Sequence, residues 1–193
     1  MTTLLTRLRA RPIAALIALV ALTLAALIFV AYWTGLIDSA LGTVAGNSAG
    51  SEVVNTEGGY RITVPDGWSS TQDGRTTTVT SEDGQTVVTF GLGRTGPLAV
   101  AGTLFFQQIA GNYDKVEVFP PDAMRVDSRN ALAYGGVGTN DKNTRIRLLA
   151  ITVENQPTNY GIVVFTEVNT DPATTLPVTT QIVDSFRTTP PPS

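Results

Sequence analysis

Residues 144–168, TRIRLLAITVENQPTNYGIVVFTEV, contain two β-branched, apolar runs at 144–153 and 160–168, joined by a short polar segment with a proline. Within each run, apolar residues occupy both odd and even positions, as Leu148 and Leu149 do in the first. Successive side chains of a strand point to opposite faces of a sheet, so both faces of these strands must be covered. The pattern predicts a central sheet with other elements packed on both sides.

Shorter segments on either side of this stretch predict the remaining elements. Alternating or β-branched patterns predict strands at 60–64, 75–80, 85–90, 115–119 and 131–137, with a short extended segment at 124–127. Apolar residues at helical spacing predict helices at 97–112 and 177–186. The Asp83-Gly84 pair favours a hairpin between the second and third strands. The run at 75–80, RTTTVT, has little apolar character and predicts an edge strand, either protected or available for docking.

The resulting order, β-β-β-α-β-β-β-β-α, predicts an α+β fold in which two helices cover different faces of an antiparallel sheet. The opening Tyr60-Arg-Ile-Thr-Val-Pro-Asp-Gly-Trp68, the helix after the third strand, the long central strands and the closing Gln181-Ile-Val-Asp-Ser-Phe186 resemble the Mog1/PsbP-like superfamily over about 59–187. That superfamily includes extrinsic photosystem II subunits, a Ran-binding protein and many bacterial envelope proteins. The resemblance implies an α/β/α sandwich that serves as a non-catalytic accessory or binding module.

The N-terminal region has the pattern of a membrane anchor. Residues 13–33, IAALIALVALTLAALIFVAYW, carry no charge and as a helix would span about 30 Å, the thickness of a bilayer core. The three arginines within 1–12 precede this span, so we expect a cytoplasmic N-terminus and an extracytoplasmic C-terminal domain at the cell membrane. A cleaved signal peptide is the alternative, although its apolar core is usually about 7–15 residues. Small residues at helical spacing could pack against a neighbouring span: Ala14, Ala18, Ala21 and Ala25.

Composition divides the rest of the chain and excludes several function classes. Residues 34–59 are rich in Gly, Ala, Ser and Thr, which predicts a flexible linker, and the Pro-rich end at 188–193 predicts an extended tail that joins no sheet. The domain between them comprises 60–187. The 193 residues include no cysteine and no histidine, which excludes thiolate nucleophiles, imidazole bases and Cys/His zinc sites. Ten basic and 16 acidic residues follow the apolar span, so we expect no nucleic-acid partner.

A Gly91-Leu-Gly93-Arg-Thr-Gly96 segment matches a dinucleotide-binding pattern between a strand and a helix. That site requires a parallel βαβ unit, whereas three strands precede this segment and hairpin-linked strands follow it. We therefore expect a glycine-rich connection and no nicotinamide cofactor. Asp122, Asp127 and Asp141 could in principle bind Ca²⁺, but their spacing matches no known loop, so we expect solvated turn carboxylates and no metal.

Four residues are candidates for contact with a partner: Trp68, Arg75, Arg145 and Arg147. Tryptophan is common at binding hot spots, although Trp68 follows a turn and is more typical of a residue that covers a sheet edge. Arg145 and Arg147 lie on one face of a strand and could recognise an anionic patch. The alternative is that they are ordinary solvated side chains.

The sequence therefore predicts no catalytic residues and favours a membrane-anchored accessory module that docks on a larger membrane complex, such as a respiratory or electron-transport complex, or on another envelope component. The alternative is an envelope carrier that holds a lipid or small amphiphile between the first soluble helix and the sheet. An enzyme would need two or more carboxylates to converge in a pocket.

Overall fold

The computed structural model describes residues 50–189. Eleven strands and two helices make up this part of the chain. In chain order they are β1 Ser51–Asn55, β2 Tyr60–Val64, β3 Ser69–Asp73, β4 Thr76–Thr80, β5 Thr86–Thr95, α1 Leu98–Ala110, β6 Asp114–Val118, β7 Asp122–Val126, β8 Arg129–Thr139, β9 Arg145–Val153, β10 Thr158–Glu167, α2 Pro172–Asp184 and β11 Arg187–Thr188.

The strands form two antiparallel sheets. The larger sheet has the order β3-β4-β5-β10-β9-β8, and β6 and β7 both pair with β8 at its far edge. The smaller sheet has the order β1-β2-β11. The two long runs of the sequence become β9 and β10, which pair from Tyr160 opposite Val153 to Glu167 opposite Ile146 at the centre of the larger sheet. The predicted antiparallel α+β architecture is therefore confirmed.

One face of the larger sheet packs against the smaller sheet and the end of α2. Four aromatic rings lie at the centre of this core, and three of them, on Tyr60, Phe90 and Phe186, are fully buried. The Phe186 ring centroid lies 5.5 Å from Tyr60, 6.0 Å from Phe90 and 5.2 Å from Tyr160. Burying aromatic rings of this size removes a large apolar area from water, so this cluster contributes strongly to the stability of the domain.

The opposite face of the larger sheet is covered by α1. The rings of Phe106 and Tyr134 are stacked with centroids 5.9 Å apart, and glycines let the helix approach closely. A Cβ atom on Gly102 would lie 2.6 Å from the Tyr134 ring, and one on Gly161 would lie 2.7 Å from the Phe105 ring. The groove that the sequence suggested between this helix and the sheet is therefore filled by aromatic side chains.

Several local predictions were wrong. The predicted linker ends too late, because Ser51–Asn55 form β1, and the predicted tail begins too early, because β11 pairs with β2. The segment RTTTVT supplies β4, which lies between β3 and β5, so the edge strand on this side is β3. The second helix begins at Pro172, five residues earlier than predicted, and the Asp171 carboxylate caps it by accepting a hydrogen bond from the backbone N–H of Ala173.

Neither α1 nor α2 is long and apolar enough to cross a bilayer, and this finding concerns residues 50–189 alone. The predicted span at 13–33, with Ala14, Ala18, Ala21 and Ala25, lies outside the described residues. The predicted cytoplasmic segment at 1–12 also lies outside them, as do residues 190–193 of the tail.

Candidate functional site

Two surface concavities of the described domain lie at one end of the larger sheet. A concavity of about 480 Å³ lies between the β7–β8 turn and the β9–β10 loop, and one of about 290 Å³ lies between the same turn and the end of α2. Arg125 and Ser128 line both. Because β8 begins where antiparallel β9 ends, the turn and the loop lie side by side at this end.

The β7–β8 turn has an unusual backbone conformation. Val126 pairs with Arg129, so two residues form the connection, and both have positive φ, 51° for Asp127 and 61° for Ser128. Two consecutive left-handed residues are typical of a type I′ turn, whose twist matches that of the flanking strands. Aspartate tolerates this region better than most residues because its short side chain bonds locally. The turn therefore holds Arg125 and Arg129 in fixed positions on its two sides.

The Asp127 carboxylate binds the C-terminal strand. Its Oδ2 atom accepts hydrogen bonds from the Thr188 backbone N–H at 2.9 Å and from the Thr188 hydroxyl at 2.8 Å. The Arg129 and Arg187 Nε atoms lie 3.9 and 3.8 Å from this carboxylate. Hydrogen bonds to an ionised acceptor are stronger than those between neutral groups, so this contact is the main polar link between β11 and the larger sheet.

Arg129 is held by groups that are mostly neutral. Its Nη1 atom donates to the Asn155 Oδ1 atom at 3.1 Å and to the Glu154 carbonyl at 3.5 Å, and its Nη2 atom donates to the Thr188 hydroxyl at 3.3 Å. The loop on the far side is itself held, because the Asn155 amide donates to the Thr158 carbonyl at 3.0 Å. The wall of the larger concavity is therefore built from side chains with fixed orientations.

Arg125 is bonded differently. Within the described residues its guanidinium makes one hydrogen bond, from Nη1 to the Ser128 carbonyl at 3.0 Å, and its side chain is exposed. The single carboxylate that lines the larger concavity, on Glu154, accepts a hydrogen bond from the Asn130 amide at 2.8 Å. Arg125 thus presents unused donors to both concavities.

The chemistry of this site is suited to recognition. Tyr160 lies behind it, where burial raises the pKa of its phenol, and its hydroxyl donates to the Gly59 carbonyl at 3.0 Å, which is a structural role. Within residues 50–189, no three acidic side chains come close enough to hold a metal ion. Asp127 is bonded to Thr188, whereas Asp122 lies opposite Ala133 near the middle of β8 and Asp141 lies in the turn after β8, and both are exposed. The arrangement offers a ligand guanidinium and amide groups, and in the smaller concavity Asp184 is also part of the lining.

The four residues suggested by the sequence are not brought together. Trp68 is partly buried and packs against the main core. Arg75 lies in the β3–β4 turn, at one end of the larger sheet. Arg145 is exposed at the start of β9, at the opposite end of that sheet. Arg147 donates from Nη2 to the Val168 carbonyl at 2.8 Å and from Nη1 to the Thr170 carbonyl at 3.3 Å, so it links β9 to the loop before α2. Their contact with a partner stays a prediction.

The Gly91–Gly96 segment does not open a parallel βαβ unit. Its first five residues complete β5, which lies between antiparallel β4 and β10, and Gly96 turns the chain into α1 with a φ of 106°. Gly93 lies opposite a bulge in β10, where a Cβ atom would approach the Asn159 carbonyl to 3.2 Å. These glycines therefore allow close strand contact and a turn. The expected glycine-rich connection is limited to Gly96 and the residue before α1, because the strand continues through Thr95.

The concavity itself had no motif in the sequence, because its lining comes from a turn, a loop and a helix end that are far apart in the chain. One signal was present. Asp127-Ser128 separates two extended runs, which is the spacing of a two-residue hairpin, and arginines flank the pair as Arg125 and Arg129.

Two solved structures that superpose with a TM-score above 0.5 share the fold of this domain. The Ran-binding protein Mog1p of Saccharomyces cerevisiae superposes with a TM-score of 0.53 at 10% identity, covering 74% of this chain and 96% of Mog1p. The cyanobacterial PsbP protein (CyanoP) of Synechocystis superposes with a TM-score of 0.56 at 13% identity, covering 76% and 96%. LpqN of Mycobacterium tuberculosis, described as involved in cell envelope biogenesis, gives 0.49 at 15% identity, covering 75% and 87%.

No family model matches the chain, and no curated protein matches it. The structural comparisons stand on the arrangement of the helices and the sheet, because identities of 10% and 13% are too low to carry residue roles across. The described part of this chain has the Mog1/PsbP-like fold.

Proposed function

We propose that this chain is a non-catalytic, single-pass membrane protein whose extracytoplasmic domain docks on a larger membrane protein complex or envelope component. The anchor is the uncharged segment at 13–33, with arginines before it and a mildly acidic domain after it. The domain has a fold that a Ran-binding protein also has. A respiratory or electron-transport complex is one partner to consider, on analogy of fold alone.

The observation that carries this proposal is the position of the hydrogen-bond donors that the described domain leaves unused. Both faces of the larger sheet are filled, by the smaller sheet with α2 on one side and by α1 on the other. The concavity beside the β7–β8 turn is open, is polar, and presents the unused guanidinium donors of Arg125. A domain with filled faces and an open polar surface is suited to contact with another macromolecule.

The carrier hypothesis placed a lipid or amphiphile between α1 and the sheet. Phe105, Phe106 and Tyr134 occupy that space, and the glycines beneath them leave no room for a further methyl group. The accessory-module hypothesis is therefore preferred.

The test is purification of the full-length chain, tagged at its N-terminus, from native membranes dissolved in a mild detergent. We expect a stoichiometric set of membrane-complex subunits, identified by mass spectrometry. Recovery of the chain alone, or with a bound small amphiphile, would contradict the proposal. A variant lacking residues 1–33 serves as the control for the anchor, and we expect it to leave the membrane fraction, whereas the full-length chain resists extraction with alkaline carbonate.

A further inference from the structure

Arg125 and Ser128 line both of the concavities, which form the surface on either side of the β7–β8 turn. We propose that this surface binds an extended segment of a partner polypeptide through a carboxylate of that segment, which Arg125 receives. The inference rests on the proposed docking function and names the part of the domain that performs it.

Charge selects a carboxylate as the group that is bound. Arg125 has no acidic side chain within ion-pair distance in the part of the chain that the structure describes, and its one hydrogen bond is to the neutral Ser128 carbonyl. Arg129 and Arg187 share one carboxylate, that of Asp127, at 3.8–3.9 Å. A guanidinium has five donors in a planar fork that matches the two oxygens of a carboxylate. The free side of Arg125 is therefore a site for such a group.

The neighbouring amides favour a polypeptide as the rest of the ligand. Asn130 lies opposite Arg125 in the β7–β8 pairing, and Asn155 and Gln156 line the concavity from the β9–β10 loop. A primary amide offers donors and an acceptor together, which matches the N–H and C=O groups of an extended backbone. The Asn130 amide already donates to Glu154, and the Asn155 amide already bonds Arg129 and Thr158, so a ligand would meet the Gln156 amide and the second amide N–H of each asparagine.

The surface is also organised before a ligand arrives. Arg129 and Asn155 hold each other at 3.1 Å, and the positive-φ turn fixes the backbone between Arg125 and Arg129. On its other side the same turn already binds an extended segment of this chain, since Asp127 accepts from the backbone and the hydroxyl of Thr188. Binding that orders few side chains loses little conformational entropy, which favours recognition of a short segment.

The test uses two pools of nine-residue peptides that are random except at the central position, which is Glu in one pool and Gln in the other. The full-length chain, immobilised in detergent micelles, is offered both pools, and the bound peptides are quantified by mass spectrometry. We expect the Glu pool to be retained about tenfold better, a ratio that corresponds to about 1.4 kcal/mol. Arg125→Gln should remove the preference, and Arg125→Lys, which keeps the charge without the fork, should keep part of it.

The control is Lys142→Gln, which removes one exposed positive charge from the β8–β9 turn at the other end of β8. It should leave the preference unchanged. Equal retention of both pools by the wild-type chain would overturn the proposal, as would an equal loss in the Lys142 and Arg125 variants. Because Arg125 is exposed and makes one hydrogen bond, its variants should keep the wild-type circular dichroism spectrum.

Purification from native membranes separates this inference from the proposed function. If Arg125→Gln still recovers the same subunits as the wild-type chain, the docking function stands and this surface is the wrong one. If the wild-type chain recovers no subunits but retains the Glu pool, the surface stands and the proposed membrane partner is wrong.

Discussion

Two buried threonines should respond to the same substitution with opposite signs. Thr152 on β9 is 1% exposed, and its hydroxyl has no hydrogen-bond partner in the described structure. Its cross-strand neighbours, Leu132 and Gly161, offer no side-chain acceptor. Thr77 on β4 is fully buried too, but its hydroxyl accepts hydrogen bonds from the Asn55 amide at 3.1 Å and the Tyr60 hydroxyl at 3.0 Å. Thr→Val keeps the shape of the side chain at both sites.

The magnitudes follow from these bonds. A buried hydroxyl without a partner costs about 1–3 kcal/mol, so Thr152→Val should raise the free energy of unfolding by about 1 kcal/mol. Thr77→Val removes two hydrogen bonds worth about 1 kcal/mol each, so it should lower that free energy by about 2 kcal/mol. For a domain of this size, 1 kcal/mol corresponds to about 4 °C in Tm.

Both variants are compared with the wild-type chain by urea unfolding in mild detergent, in a Trp33→Phe background in which Trp68 is the single remaining tryptophan. Trp68 packs against the main core, so its fluorescence reports on the domain. The reasoning would be refuted if Thr152→Val lowered the stability, or if the two variants shifted the midpoint in the same direction.

Three further predictions use the same unfolding assay or a titration. Gly161→Ala places a methyl group 2.7 Å from the Phe105 ring and should lower the stability by about 1–3 kcal/mol. Adding Phe105→Leu should restore part of the loss, and no restoration would contradict the contact. Asp127→Ala should lower the stability by about 2–4 kcal/mol and speed amide exchange at Thr188, because it removes the acceptor of two hydrogen bonds. Asp127→Asn keeps an acceptor and tolerates positive φ, so it should lower the stability less. Equal effects of the two variants would count against the hydrogen bonds. Burial raises the pKa of Tyr113 to about 12, against about 10 in an unfolded chain. Between these pH values the folded state keeps the phenol proton and the unfolded state loses it, so the free energy of unfolding should fall as the pH rises from 10 to 12. If Tyr113→Phe showed the same decline, burial of this phenol would be excluded as its cause.

Most of the strands that the sequence predicted have apolar residues to bury. The exceptions are β6, which was predicted although none of its residues is buried, and β1, which was missed although Val53 is buried. β2, β5, β9 and β10 all contain buried apolar side chains, and their alternation is visible in the sequence. β3, with the sequence SSTQD, has no apolar residue and forms because each of its residues pairs with β4. β11 has two residues and depends on β2 and on Asp127. Elements that are stabilised by their neighbours leave little trace in their own sequence.

The candidate site was harder to predict for a related reason. Its arginines and amides lie on separate segments, at 125–130, at 154–156 and at the start of β11, and their meeting depends on the antiparallel register of β7, β8 and β9. Arg147 shows the reverse case. Its strand position suggested a free cation, but the fold supplies two carbonyls from the loop before α2. Register and loop contacts are decided by the whole fold, not by the local sequence.

The position of Phe186 in the main core has a consequence for biogenesis. This ring lies against three other aromatic rings, and Ile182 and Val183 are buried beside it, so segments more than 120 residues apart in the chain build the centre of the core together. During synthesis or export from the N-terminus, the strands that emerge first cannot pack against the Phe186 ring until α2 and the residues after it have emerged. The domain can therefore complete this core only after Phe186 has emerged, and until then the strands before it expose apolar surface that promotes aggregation.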